Sequence, residues 1–457
     1  MRQPGRCRRF WWSWGMSENP NFVPIRSLIE GCWPGEWGLD PVFDNANCVV
    51  FRATNIDSDG HLDLEGGVAR FILPAKLNSK TLELGDILLE AAGGAPDKPV
   101  GRVALVNRVP DQPSLTTNFF RFIRPAQNVD ARFLLLQLVA LNRSSSIWRY
   151  QQQTTGLINL KVEDYLKHKI WAPSKARQRK IADGLFKIDT VIKKTEALIE
   201  KYQQIKAGLM HDLFSRGVLP NGQLRPPREQ APELYKETAI GWAPREWKVA
   251  TLRDCLDNNP TNGIYKSAES IGEGTLMVGQ TAFTAERSID FSLCRRGAVG
   301  VEEVRQYGLS KDDILLTRVF ATVQGVGLPT LVPEMPEPAV FESNMIRLQI
   351  DSKKVLPRFL FEWLRTPQTR RHIISSANAS NQCSVNQSVL NPLPVPLPTM
   401  REQLQIEART NQIDKRHSLE SISLSKLHQK KLGLMQDLLT GKVPVHIDEQ
   451  VPELAHA

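Results

Sequence analysis

Short apolar runs, each broken by Gly, Pro, Asn or Asp, recur along two long stretches of the chain. Such runs are typical of strands in globular domains. They read NCVVFRA, RFILP, GDILLE, GRVALV, FFRFI, TLMVGQ, DILLTRV and NMIRLQI. A helical pattern is also present near residues 130–142 and 357–372. Residues 16–172 and 241–397 are therefore predicted to be two mixed α/β (α+β) globular blocks.

Two other stretches, 173–216 and 398–442, have apolar or long side chains every 3.5 residues, the spacing at which helices supercoil. Each predicted helix is about 60 Å long at 1.5 Å per residue and would protrude from a compact domain. We therefore predict an antiparallel coiled coil between them, although two ordinary amphipathic surface helices would also fit. The predicted contact residues are Ile181, Leu185, Ile188, Ile192, Ile199, Leu209, Leu213, Ile406, Ile413, Leu424, Leu427, Leu434 and Leu438.

The chain is a tandem duplication. A shift of 225 residues aligns the two predicted long helices without a gap, and the upstream pairs LGDILLE/KDDILLT and ARFLLLQL/PRFLFEWL keep offsets of 227 and 226. Self-similarity at a fixed period constrains the whole architecture. Two equivalent halves related by pseudo-two-fold symmetry are expected. The identical pairs include Pro173/Pro398, Gln178/Gln403, Asp189/Asp414, Lys206/Lys431 and Gly208/Gly433.

Proline and polar residues indicate the remaining boundaries. The stretch PNGQLRPPREQAP predicts a linker over residues 217–240, and residues 443–457 form a short tail. Residues 1–15 are basic but lack the apolar region of a signal peptide, so we interpret them as a non-structural extension. Met1 and Met16 both remain possible starts.

Charge and cysteine content exclude several classes of protein. The net charge is +9, yet residues 16–174 carry −1 and residues 217–400 carry +1. A protein that grips many phosphates alone would have basic globular parts, so any DNA binding is expected to be shared with a partner. The six cysteines form no CxxC pair, and no apolar run is long enough to span a membrane. A cytoplasmic protein with no metal site is expected.

Catalytic motifs are not evident in the sequence. The Gly-rich segments AAGGAPDKPVG and VQGVGLP lack the Lys-Ser/Thr of a P-loop, and no Asn-Pro-Pro-aromatic tetrapeptide of an amino-methylating enzyme occurs. A stand-alone enzyme is thus the least favoured hypothesis.

Polar loops that could contact base edges occur in both halves. One pair, QQQTTG and SANASNQ, precedes the proline of each long helix, and a second pair follows the two DILL strands. Gln and Asn can bond adenine through two atoms, and Arg can bond guanine. Each residue could equally be part of an ordinary solvated loop. The predicted DNA-contacting residues are Arg52, Asn55, Lys98, Arg102, Gln151, Gln152, Gln280, Arg318, Gln324, Asn378 and Asn381.

A variable block, a proline before ARQRKI or MREQLQI, a heptad helix and a terminal GLMxDLxxxxV occur twice. This arrangement resembles the specificity subunit of type I restriction-modification systems over nearly all of residues 20–445. The first copy departs from the family pattern at Arg177, where the second has Glu402. The second helix also has His417 and Glu420 at core-register positions.

The resemblance implies two target recognition domains that each read one half of an asymmetric, bipartite double-stranded DNA sequence. It implies that the helices space these domains and dock methylation subunits, in two copies, together with restriction subunits. S-adenosylmethionine, ATP and Mg²⁺ would be held by those partners, and this chain would bind no cofactor. Two alternatives stay open: a specificity subunit with one fused methylase-nuclease partner, and a coiled-coil adaptor that binds no DNA.

Overall fold

The computed structural model describes residues 21–42, 45–95, 97–108, 111–154, 157–284, 287–377 and 382–447. The chain divides into two compact units, which we call unit 1 (residues 1–196 with 423–457) and unit 2 (residues 197–422). The division falls inside both long helices, so each unit contains one half of each helix. The compact units therefore divide the chain after residues 196 and 422, and not at the predicted boundaries of 173 and 398.

The helices described in unit 1 are α1 (Pro74–Lys80), α2 (Ala131–Arg143), α3 (Val162–Leu166) and the first half of α4 (Lys175–Ser215), together with the second half of the other long helix. Its strands are β1 (Phe22–Pro24), β2 (Ile29–Pro34), β3 (Cys48–Phe51), β4 (Val68–Arg70), β5 (Ile87–Glu90), β6 (Ala92–Gly94), β7 (Val103–Leu105), β8 (Ser114–Thr116), β9 (Phe120–Pro125), β10 (Gln151–Thr154), β11 (Leu157–Leu160) and β12 (Lys169–Trp171).

Unit 2 contains α5 (Val301–Tyr307), α6 (Pro357–Arg365), α7 (Pro367–Ser376), α8 (Gln387–Leu390) and the start of α9 (Met400–Leu439). Its strands are β13 (Tyr235–Thr238), β14 (Gly241–Pro244), β15 (Lys248–Thr251), β16 (Thr261–Asn262), β17 (Ile271–Val278), β18 (Arg295–Gly297), β19 (Ile314–Thr317), β20 (Val319–Phe320), β21 (Pro329–Leu331), β22 (Ala339–Phe341), β23 (Met345–Leu348), β24 (Cys383–Ser384) and β25 (Pro394–Leu397).

The sheets of the two units have the same topology. A four-stranded antiparallel sheet has the order β2-β9-β5-β7 in unit 1 and β16-β23-β19-β21 in unit 2. A three-stranded sheet has the order β4-β3-β8 or β18-β17-β22, and its last pair is parallel in both units. The pairs β1-β12 and β15-β25 also correspond. The sequence duplication is therefore a duplication of the fold, and the predicted mixed α/β class is confirmed.

The core of each unit forms where the apolar side chains of the four-stranded sheet pack against the helix that follows the sheet in the chain. In unit 1, α2 buries almost every residue from Phe133 to Leu141 against β5, β7 and β9. In unit 2, α6 packs in the same place and buries Phe359, Leu360 and Trp363. The predicted helix over 357–372 is two helices, because α6 ends at Arg365 and Pro367 begins α7, capped by the Thr366 hydroxyl.

The segment predicted as a linker is packed against unit 2. β13 lies within it and forms a hairpin with β14, which follows it, and the Tyr235 hydroxyl donates to the Pro226 carbonyl oxygen at 2.6 Å. Arg225, which precedes this hairpin in the chain, and Trp247, which follows it, are both buried. The proline-rich composition indicated a linker because it cannot continue a helix, but tertiary contacts give the segment a fixed position.

One duplicated glutamine anchors the start of each long helix. In unit 1, the Gln178 Oε1 accepts from the backbone N–H of Asp130, the N-cap residue of α2, at 2.9 Å. In unit 2, the Gln403 Oε1 accepts from the backbone N–H of Leu356, the N-cap of α6, at 2.8 Å. Both side chains are buried. The identity of Gln178 and Gln403 in the repeat thus reflects a structural role.

The two long helices run antiparallel within each unit. In unit 1, the helix pair and the domain core bury three predicted residues of α4: Ile181, Leu185 and Ile192. The other predicted residues that are half-buried here are Ile188, Leu424, Leu427 and Leu438. In unit 2, Leu213 and Ile406 are buried, and Ile199, Leu209 and Ile413 are half-buried. A pair of helices has one solvent-facing side, which accounts for this partial burial.

The prediction for Leu434 is wrong. Its side chain is 38% exposed, whereas the neighbouring Met435 is 2% exposed and packs into the unit 1 core with Leu439. In the first copy, Met210 and Phe214 are buried in the equivalent places. At these helix ends the sheet and α2 or α6 lie on a different side from the facing long helix. A strict heptad register therefore misplaces the buried face by one residue.

Candidate nucleic-acid interface

Three loops lie together at one end of the parallel strand pair in each unit. Strands β3 and β8 run in the same direction, so the residues that follow them emerge at one edge, and the same holds for β17 and β22. The third loop follows β5 or β19. We call these the strand-end loops: residues 52–55, 91–95 with 97–102, and 117–119 in unit 1, and 279–282, 318–324 and 342–344 in unit 2.

Strand pairing makes the loops of the two units equivalent residue by residue. Phe51 and Val278 are the last paired residues of β3 and β17, and a short 3-10 helix begins two residues later in both units. Ala53 therefore corresponds to Gln280. The backbone N–H of Ala91 donates to the Phe119 carbonyl oxygen at 2.8 Å, as Arg318 does to Asn344.

In unit 1, the predicted contact residues Arg52 and Asn55 lie on the first strand-end loop. Arg52 is exposed at the edge of the loop. Asn55 is buried, and its Oδ1 accepts from the Arg52 backbone N–H at 2.8 Å. The side-chain oxygen of Asn55 is thus used to hold the turn that presents Arg52.

Arg102 and Lys98 lie on the loop between β5 and β7. The Arg102 guanidinium donates to both carboxylate oxygens of Glu90, at 3.0 and 2.7 Å, and to the Ile56 carbonyl oxygen at 2.9 Å. This pairing raises the pKa of Arg102. Lys98 is exposed. Arg102 therefore ties two strand-end loops together, while Lys98 projects from one of them.

Gln151 and Gln152 begin β10, which pairs with β11 beside the strand-end loops. The Gln151 side chain accepts from the Val100 N–H at 3.0 Å and donates to the Val100 carbonyl oxygen at 3.1 Å. It is therefore committed to holding the neighbouring loop. Gln152 is exposed on the strand.

In unit 2, Gln280 and Arg318 connect the loops to one another. The Gln280 Nε2 donates to the carbonyl oxygens of Val319 and Asn344, at 2.8 and 3.0 Å. The Arg318 Nε donates to the Ser343 carbonyl oxygen at 2.8 Å. Gln324 is exposed, and Asn378 and Asn381 lie outside the described residues. The structure thus brings Gln280 and Arg318 together.

Three residues near these loops were missed by the sequence analysis: Trp37, Phe119 and Arg287. Trp37 and Phe119 line a cleft in unit 1. Arg287 has a left-handed backbone (φ 65) and donates to the Leu328 carbonyl oxygen at 2.8 Å. Burial, together with the nearby cations Arg365 and Arg370, lowers the pKa of Arg287 to about 10. A lone arginine in a variable loop has no sequence signal that predicts this position.

The helix pair in each unit contains an ion pair built from the duplicated residues. In unit 1, the Lys431 Nζ lies 2.6 Å from the Asp189 carboxylate. In unit 2, the Lys206 Nζ lies 2.6 Å from the Asp414 carboxylate. The lysine of one repeat thus pairs with the aspartate of the other. The identities Lys206/Lys431 and Asp189/Asp414 in the aligned helices were the signal for this contact.

A metal site and a membrane-spanning helix are both absent from the part of the chain that the structure describes. No group of three or more His, Cys, Asp or Glu side chains there could hold a metal ion. None of the helices described is both long and apolar enough to cross a membrane.

Comparison with known proteins agrees with this architecture. Residues 244–429 match the model of the type I restriction modification DNA specificity domain. The chain is 23% identical over 317 residues to the type I restriction enzyme MjaVIII specificity subunit of Methanocaldococcus jannaschii, covering 67% of this chain and 69% of that protein. The chain is thus similar to type I restriction specificity subunits.

Other type I restriction specificity subunits align with this chain over comparable lengths. The StySPI specificity subunit of Salmonella potsdam is 25% identical over 298 residues, which is 64% of this chain and 59% of that one. The crystal structure of a type I restriction-modification S subunit from M. genitalium covers 95% of this chain and 99% of its own, with a TM-score of 0.54 and 15% identity. At that identity the likeness shows the specificity-subunit fold alone.

Proposed function

We propose that this specificity subunit recognises an asymmetric, bipartite double-stranded DNA target, with the strand-end loops of unit 1 reading one half and those of unit 2 the other. The chain performs no chemistry in this proposal. Methylation subunits and restriction subunits carry the reactions, together with their S-adenosylmethionine, ATP and Mg²⁺.

One observation carries the proposal: equivalent positions on the same scaffold hold different side chains in the two units. Ala53 corresponds to Gln280, and Ala91 corresponds to Arg318. Base edges are discriminated by donor and acceptor patterns, so two loop sets with different patterns suit two different half-sites. Identical loops would suit a palindrome.

Charge and apolar surface support the involvement of partner subunits. The two globular blocks are nearly neutral, so they supply little of the phosphate attraction that drives DNA binding. Exposed apolar side chains also occur on the long helices, where they suit contact with another protein. They are Val191, Leu432 and Leu434 in unit 1 and Ile205, Leu404, Leu419 and Ile422 in unit 2.

The test begins with the methylated sequence of the host, compared between cells with and without the gene. Loss of methylation at a split motif on deletion supports the proposal and supplies the cognate duplex. A methylation pattern that is unchanged by deletion of an expressed gene would contradict it.

Single substitutions then assign the half-sites. Arg52→Ala and Gln324→Ala in the assembled complex should each weaken cognate binding by roughly 1–3 kcal/mol if the residue contacts a base. With Arg52→Ala, affinity should no longer depend on a base change in the half-site that unit 1 reads. With Gln324→Ala, affinity should no longer depend on a base change in the half-site that unit 2 reads. Arg108→Ala is the matched control. Arg108 is also exposed, but it follows the C-terminal end of β7, whereas the strand-end loop that contains Arg102 precedes the N-terminal end. An equal loss with Arg108→Ala would contradict the assignment.

A further inference from the structure

Unit 1 has an open cleft among its strand-end loops. Its volume is about 310 Å³, and its lining includes Trp37, Arg52, Glu90 and Phe119. The lining is largely apolar, and the Phe119 ring is 48% exposed. An exposed aromatic ring beside a cavity is unusual in a protein surface and marks a place where a flat ligand can stack.

The walls of this cleft are held in place by polar contacts. The Arg70 guanidinium lies over the Trp37 ring, 4.3 Å from its centroid, and donates through Nε to the Trp37 carbonyl oxygen at 3.1 Å. Glu90 is buried and fixed by both of its carboxylate oxygens to Arg102. The cleft is thus preformed, with an aromatic wall, an acceptor group inside it and the exposed Arg52 in its lining.

The equivalent space in unit 2 is crossed by one side chain. Gln280 occupies the position of Ala53, and its Nε2 reaches the carbonyl oxygens of Val319 and Asn344. The equivalents of those two residues in unit 1 are Ala92 and Phe119, which both line the cleft. Because Ala53 has no side chain that can reach them, the cleft stays open in unit 1.

We propose that the unit 1 cleft binds one nucleobase turned out of the target duplex. This inference rests on the proposed function and adds a ligand class to it. The base would stack on Phe119 and Trp37, an exocyclic amino group would donate to Glu90, and Arg52 would face the displaced phosphate. Aromatic stacking compensates part of the cost of removing a base from the helix. A base fits the flat, apolar lining and the buried Glu90 acceptor.

Mismatch scanning of the cognate duplex tests this proposal. A base without its pairing partner costs less to turn out, so a mismatch at the extruded position should increase the affinity of the assembled complex, by about tenfold. The adenine that the complex methylates is left out of the scan, because methyltransferases turn out their own target base. The gain is expected at one position of the half-site read by unit 1.

Two variants connect that gain to the cleft. Ala53→Gln places in unit 1 the side chain that crosses the same space in unit 2, and it should abolish the gain at that position. Phe119→Ala removes an exposed ring, which does not contribute to the core, and should abolish the gain as well. Ala53→Ser, with a short side chain, should retain it.

Each other result contradicts the inference. If no mismatch in the unit 1 half-site raises affinity, or if the gain survives in both Ala53→Gln and Phe119→Ala, no base enters the cleft. If both variants instead lose the methylation subunit on size exclusion, the cleft takes a side chain of that protein. If the wild-type complex methylates and binds its split motif with no mismatch gain, the proposed function stands and this inference alone fails. If cognate binding itself is absent, both fail.

Discussion

The two units share one topology, yet they differ wherever a duplicated residue has lost or gained a partner. Asp86 and Asp313 occupy the same position before β5 and β19, and each caps the turn that precedes its strand. In unit 1, the Arg124 guanidinium donates to both oxygens of Asp86 at 2.9 Å. The equivalent of Arg124 in unit 2 is Gln349. Among the described residues no cation is bonded directly to Asp313, and burial raises its pKa to about 6 although the charge of Arg347 acts in the opposite direction.

At the start of the long helices, the additional ionic partner is found in unit 2 instead of unit 1. Glu402 is buried in unit 2, where its carboxylate accepts from the Val218 N–H at 2.7 Å and from the Arg225 guanidinium. Its counterpart in unit 1, Arg177, is exposed. The helix therefore tolerates either residue, and the chain that packs beside it decides which one is needed. The comparison teaches that a repeated backbone fixes positions, whereas partners fix side-chain identity.

The largest difference between the units is expected at this pair. Glu402→Ala leaves Arg225, 3% exposed, buried with only the exposed Glu246 as a carboxylate partner. We expect a loss of about 3–5 kcal/mol in the free energy of unfolding. Arg177→Ala is the matched control and should change it by less than about 0.5 kcal/mol. Urea unfolding of the full chain measures both, and similar losses would remove this distinction between the units.

Asp313 is not bonded to a cation equivalent to Arg124, and this predicts a pH dependence of stability that is specific to unit 2. The folded pKa of about 6 lies above the ordinary value of 3.8, so the folded state holds the proton more tightly and stability falls as pH rises from about 4 to 7. Gln349→Arg supplies the partner that Arg124 provides in unit 1. It should raise the free energy of unfolding above pH 7 by on the order of 2 kcal/mol and have little effect below pH 4.

Urea unfolding at about pH 4 and pH 8 distinguishes these effects. Asp313→Asn should also flatten the pH dependence, because it removes the titrating group and keeps the shape. An unchanged pH profile in both variants would show that Asp313 does not carry the difference between the units.

A smaller difference is expected between the two exchanged ion pairs. Lys431 and Asp189 pair with each other, and Asp59 is the next carboxylate at 3.9 Å from Lys431. In unit 2, Asp414 also pairs with Arg358, so it keeps a cation when Lys206 is removed. Double-mutant cycles with Lys→Met and Asp→Asn should give a coupling of about 1 kcal/mol for Lys431–Asp189 and about 0.5 kcal/mol for Lys206–Asp414. The reverse order would mean that Arg358 does not compensate.

The candidate interface was predicted in part. The sequence placed Arg318 on a loop after a strand, and Arg52 and Gln280 near the ends of strand-like runs, because strand ends and turn residues leave a clear local signal. It did not show that Gln280 crosses the loops of unit 2 or that Arg102 is bound to Glu90. These contacts join residues far apart in the chain, and no pattern of period two or 3.6 records them. Trp37 and Phe119 were missed for the same reason.

The sequence by itself determined the duplication, the mixed α/β blocks, the two long helices and the resemblance to specificity subunits, because periodicity and repeated identities are local properties of the chain. Tertiary structure decided which face of each helix end is buried, as at Leu434 and Met435, and whether the proline-rich segment before β13 is packed. It also decided which strand-end loops stay open. These outcomes depend on which distant surface covers a residue, and burial energy is settled only when that surface is in place.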